Sequence, residues 1–60
     1  MNWLEEKRRE KGMTQDAVAL KAKVARASYT NIEAGRRRPS VDVAKRIASV
    51  LDFAWMKFFE

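Results

Sequence analysis

Apolar and polar positions along this chain repeat with the period of a helix and not with that of a strand. Val41, Ala44, Ile47, Ala48 and Leu51 follow at steps of three, three, one and three, which puts them on one face of a 3.6-residue helix. Val18 and Ala22 are four apart, and Tyr29 and Ile32 are three apart. No segment alternates apolar and polar residues over a useful length, so no strand is expected. Gly12, Gly35 and Pro39 are the strongest breaks. The pattern predicts five helices. The first covers Trp3 to Lys11 and ends at Gly12 in a left-handed position. Thr14 caps the second, which runs to Lys21 or Ala22 with Asp16 near the positive end of its dipole. The third covers about Arg26 to Ala34 and ends at Gly35. Arg36 to Pro39 form a loop, because Pro39 disfavours helix at the residue before it. Ser40 caps the fourth, Val41 to about Leu51, and a short fifth covers about Ala54 to Phe59. The expected product is a compact all-α fold in one domain, residues 1–60, with Leu4, Val18, Ala22, Val24, Ile32, Ile47 and Leu51 buried.

Length and composition narrow the function. A 60-residue chain has a thin core and is often steadied by a partner. Cysteine and histidine are both absent, so no disulfide, no thiolate metal site and no imidazole base is available. No Asp/Glu cluster has the spacing of a metal loop, and neither metal nor cofactor is expected. Ser28, Ser40 and Ser49 have no histidine to activate them, which argues against an enzyme. No apolar run approaches ~18 residues, and the first six residues are too acidic for a signal peptide. A soluble, cytoplasmic protein is the expectation.

Charge placement changes the picture more than its total. Of the net +5, residues 21–46 carry eight Lys/Arg against Glu33 and Asp42, or +6; all other residues sum to −1. Clustered positive charge attracts polyanions, though it does not by itself separate DNA from RNA or anionic lipid. The shape of the segment helps. Thr14 to Gly35, TQDAVALKAKVARASYTNIEAG, reads as two short helices joined by a tight turn, the second with a polar, basic face. Such a pair can present its second helix to the DNA major groove. Arg36, Arg37 and Arg38 follow at once and would lie near phosphates.

Arg8, then Lys11-Gly12-Met13-Thr14-Gln15, Val18-Ala19, Val24, Ile32-Glu33, Gly35, Pro39-Ser40 and Ile47-Ala48 form a signature that is specific only in its combined order and spacing. It resembles the lambda-repressor-like (Cro/repressor-type, or XRE-type) helix-turn-helix family from Leu4 to Phe59. The resemblance implies a compact five-helix domain, usually dimeric on a near-palindromic operator, that represses or activates transcription. It implies a structural ion pair between Arg8 and Glu33. The chain also departs from the family pattern. Lys23 stands where Gly is usual, at a turn position that often needs positive φ. Ala25 replaces the common Ser or Thr cap, Lys7 a usually apolar residue, and Asp52 a frequent Gly.

Carried over position by position, the resemblance assigns base reading to Arg26, Ala27, Thr30 and Asn31. Arg26 suits a guanine, Ala27 a thymine methyl, and Asn31 an adenine or a phosphate. The plain alternative for each is a solvated helix face. Gln15, Lys23, Ser28, Arg36, Arg37 and Arg38 are the expected DNA-backbone residues. Against them stand helix-end polarity for Gln15, a surface hydroxyl for Ser28 and a solubilising charge run for the arginines. Trp3, Phe53, Trp55, Phe58 and Phe59 suit core packing better than base stacking, and with Met56 they leave apolar surface for a second copy of the chain. The reading is a double-stranded DNA-binding regulator, expected to be a repressor and a homodimer, with no small-molecule ligand. An antitoxin-like protein-interaction module on the same fold is the alternative. An RNA-binding module lacks a basic–aromatic stacking platform or Gly-rich clamp here.

Overall fold

A computed structural model describes residues 2–60 of the chain. Four α-helices run in order: α1 (Asn2–Glu10), α2 (Gln15–Ala22), α3 (Arg26–Glu33) and α4 (Val41–Leu51). A 3-10 helix, Trp55–Phe59, closes the chain. The fold is all-helical among the described residues, as the apolar periodicity predicts.

The fifth element is a 3-10 helix and not an α-helix. Five residues are too few to offset the cost of an α-helical nucleus. The tighter i to i+3 pattern closes at once, with the Lys57 amide donating to the Ala54 carbonyl at 3.0 Å. Within it the Trp55 and Phe59 rings meet edge-on at 6.0 Å. Phe58 is buried, and its ring meets those of Trp3 and Phe53 edge-on or tilted at 5.2 and 5.5 Å. The two chain ends are thus packed on each other, as their aromatic content suggests.

Leu4, Val18, Ala22, Tyr29, Ile32, Ala44, Ile47 and Leu51 fill the centre between the helices. Val24, expected in the core, is only half-buried and packs against its edge. Its backbone explains this. Val24 follows the residue that ends α2, and its amide reaches back to the Ala19 carbonyl at 2.9 Å. The side chain lines a cavity with Ser28 and Ile32 of α3 and Val43 and Arg46 of α4.

The same closure ends all four α-helices. Met13 donates to Arg8, Val24 to Ala19, Arg36 to Asn31 and Phe53 to Ala48, each five residues back. The residue inside each closure has positive φ: Gly12 at 65°, Lys23 at 57°, Gly35 at 79° and Asp52 at 63°. Two of these are not glycine, so a Cβ crowds the following carbonyl there. The helix starts differ as well. Thr14 Oγ1 accepts from the Ala17 amide at 3.1 Å, and Ser40 Oγ from the Val43 amide at 3.2 Å. Ala25, before α3, offers no side-chain cap.

The turn between α2 and α3 is thus strained at one residue and uncapped at the other. Lys23→Gly should raise stability by about 0.5–1 kcal/mol, the left-handed penalty less the added chain entropy of glycine. Ala25→Ser should add about 1 kcal/mol by capping α3. For a domain of this size, 1 kcal/mol raises the melting temperature by roughly 4–8 °C. Thermal unfolding checks both, and a lower melting temperature for Lys23→Gly would contradict the strain.

Candidate nucleic-acid interface

One buried carboxylate anchors the region around α3. Glu33 is 6% exposed at the end of that helix. Arg8 on α1 binds it side-on, Nε donating to Oε2 and Nη2 to Oε1, both at 3.0 Å. Arg8 Nη1 also donates to the Met13 carbonyl at 3.0 Å. This is the ion pair the sequence resemblance implies. Gln15 Nε2, in the first turn of α2, donates to the same Oε1 at 3.2 Å. The Tyr29 hydroxyl lies beside this carboxylate, buried and short of a well-formed hydrogen bond.

These neighbours set the titration. Burial acts to raise the Glu33 carboxyl, but the hydrogen bonds from Arg8 and Gln15, with the Tyr29 hydroxyl close by, outweigh it, and its pKa lies below the usual value. Arg8 is raised further by the hydrogen bond to Glu33, against its own burial. Burial first, and the Glu33 anion next, push the Tyr29 hydroxyl well up, so it keeps its proton.

Gln15 passes the constraint outward. With Nε2 turned to Glu33, its Oε1 faces α3 and accepts from Thr30 Oγ1 at 2.9 Å and Arg26 Nη2 at 3.2 Å. Arg26 also donates from Nε to Thr30 Oγ1 at 3.3 Å and from Nη1 to Asp16 Oδ1 at 2.6 Å. Three residues expected at DNA (Gln15, Arg26 and Thr30) therefore form one hydrogen-bonded group. Asp16 belongs to it too; the sequence marked that residue only for its place near a helix dipole. Opposite charges in the first turns of α2 and α3 were a visible signal, but only the turn angle brings them together.

The other expected residues lie in separate pairs or alone. Asn31 is half-buried, and its Oδ1 accepts from Arg36 Nε at 3.1 Å. Ser28 Oγ accepts from Arg37 Nη1 at 3.2 Å. Ser28, Arg37 and Arg38 line a cavity of about 210 Å³ with Val24, Pro39 and Arg46. Arg38 stacks its guanidinium 5.0 Å from the centre of the Phe59 ring. Ala27 and Lys23 are exposed. Arg46 was not singled out from the sequence. Its Nη1 donates to the Lys23 carbonyl at 3.2 Å, tying α4 to the strained turn. Among the described residues, no group of three or more His, Cys, Asp or Glu is placed to hold a metal ion. None of their helices is long and apolar enough to cross a membrane.

A family model described as helix-turn-helix covers residues 4–55. The chain belongs to the XRE-type helix-turn-helix family. A curated relative from Bacillus subtilis (strain 168), named as the uncharacterized HTH-type transcriptional regulator YqaF, is 53% identical over 58 residues. That match covers 97% of this chain and 76% of the relative. No solved structure gives a significant match.

In this helix-turn-helix domain the Arg8–Glu33 pair should control acid stability. Because the folded-state pKa of Glu33 is depressed, its contribution is present above its ordinary value of 4.5 and is lost as pH falls through the lower folded value. Arg8 stays charged throughout. Denaturant unfolding from pH 7 to pH 2 should show stability falling below about pH 4.5. Glu33→Gln should be less stable at neutral pH and lose less on acidification. Arg8→Met, which leaves a buried anion, should cost about 3–5 kcal/mol. A Glu33→Gln profile parallel to that of the parent chain would refute this role.

Proposed function

We propose that the chain is a sequence-specific, double-stranded DNA-binding transcriptional regulator that acts as a repressor, with α3 in the major groove. The observation that carries the reading is the surface at the start of α3. Arg26, Ala27 and Thr30 share its outer side, Gln15 braces that side from the first turn of α2, and arginines flank its far end. The family supports DNA binding in general, and the relative's name supports regulation of transcription.

Each residue has a chemical part. Arg26 reads guanine through paired donors, and Ala27 meets a thymine methyl. Thr30 reads through its hydroxyl. Asn31 reads adenine or holds a phosphate, its Oδ1 shared with Arg36. Gln15 keeps one N–H beyond its bond to Glu33, and that N–H suits a phosphate oxygen. Arg36 and Arg37 clamp the backbone beside α3, with Ser28, Lys23 and Arg38 adding to the same positive edge. The protein works in the cytoplasm on a near-palindromic operator, as a homodimer that needs neither cofactor nor metal.

Selection from random duplexes tests the reading. We expect micromolar or tighter binding that weakens steeply with salt as phosphates release counterions. Arg26→Ala should cost about 1–3 kcal/mol on the preferred site and relax one base pair. Arg37→Ala should weaken all duplexes about equally and lower the salt slope by up to ~1. No enrichment of any duplex would favour the protein-interaction alternative.

Dimerisation follows from information content. One reading helix covers only a few base pairs, so two copies related by a two-fold axis would read half-sites ~34 Å apart. The end of α4 and the Phe53–Phe59 segment are the expected contact, where Met56 is 53% exposed. Sedimentation with half-site and full-site duplexes should show two chains on the full site and higher affinity there. One chain on each, with equal affinity, would leave a monomeric binder.

A further inference from the structure

Arg26 is held by acceptors on all three of its guanidinium nitrogens, and one of those acceptors is a full negative charge. Nε donates to Thr30, Nη2 to Gln15 and Nη1 to Asp16, the last at 2.6 Å. A guanidinium has five N–H groups, so two remain, one on each terminal nitrogen. Two is the number that guanine O6 and N7 accept together.

Asp16 is an unexpected residue at this place. It lies in the first turn of α2, near the surface that Gln15 would turn toward phosphates, and its carboxylate is largely exposed. A lone carboxylate there repels DNA. An exposed ion pair of this kind also contributes little to folding. Its consequence lies in what Arg26 can do. A free arginine at the head of a reading helix is drawn to any nearby phosphate, whatever the sequence. An arginine whose charge is offset and whose plane is fixed loses that attraction and keeps its two outward donors.

Resting on the proposed function above, we infer that Asp16 is a specificity-determining positioning residue. It restrains Arg26 from phosphates and holds it for a base edge. Base preference is thereby set partly by a residue that itself touches no base. The Arg26→Ala loss also has two parts: the missing base contact, and the repulsion of DNA by an Asp16 left without its partner.

The test compares the parent chain with Asp16→Asn, Arg26→Ala and the double variant, on the selected duplex and on an unrelated one, across a salt series. Asp16→Asn should tighten binding to the unrelated duplex several-fold and steepen its salt slope by up to ~1, because Arg26 becomes a phosphate contact. Its affinity for the selected duplex should change less, so the ratio of selected to unrelated binding should fall about tenfold, or ~1.4 kcal/mol. Arg26→Ala should weaken both duplexes. The double variant should recover the unrelated duplex relative to Arg26→Ala without recovering the ratio. A purely structural role for Asp16 would lower the active fraction and scale both duplexes equally, leaving ratio and slope unchanged. An unchanged ratio and slope in Asp16→Asn, or strictly additive effects in the double variant, overturns the inference while the parent chain's own selectivity keeps the proposed function standing. A parent chain that prefers no duplex overturns both.

Discussion

The side-on bond between Arg8 and Glu33 joins the first helix to the end of the third, with the two side chains 13% and 7% exposed. So small a fold has few ways to hold α3 at a set angle. Apolar packing through Tyr29 and Ile32 supplies attraction but little direction. The ion pair supplies direction, because a guanidinium and a carboxylate meet in one plane and at one distance. A charge buried this far is costly if either partner is lost. The pair is therefore a constraint more than a source of stability. Gln15 extends it, since only one orientation of its amide satisfies both Glu33 and Thr30. From Arg8 to Arg26, each polar group has its direction set by the one before it.

The second constraint is the turn between α2 and α3. Lys23 sits in left-handed backbone, and α3 starts without a side-chain cap. Other contacts hold the turn in place of those local preferences. Val24 packs against the core edge, and Arg46 on α4 donates to the Lys23 carbonyl. Local disfavour is thus offset by tertiary contacts, and α3 keeps its angle through neighbours on both sides.

Charge is arranged in two regimes across the same surface. Arg8 is matched by Glu33 near the core, and Arg26 by Asp16 at the surface. On the rim, the Arg36 and Arg37 side chains donate to neutral oxygens, of Asn31 and Ser28. Arg38 takes a third course, against the face of Phe59. That contact, with Lys45 over Trp55 and Lys57 over Trp3, covers aromatic faces of the last segment and of α1.

The helices, their order and most of the core were legible in the sequence, because a 3.6-residue period and the marks at Thr14, Gly35, Pro39 and Ser40 are local properties. So was the basic segment, which needs only counting. The family signature extended this to Arg8 and Glu33, residues too far apart for any periodicity to link. Other features depended on the folded chain. The last segment became a 3-10 helix because five residues cannot sustain an α-helix, and Val24 moved to the core edge because a left-handed Lys23 turned the chain there. Asp16 and Arg46 gained their contacts only when helices distant in sequence came together. Period and punctuation report what each residue does to its own neighbourhood. Which amide faces which carboxylate is set by angles between helices, and those exist only once the core has closed.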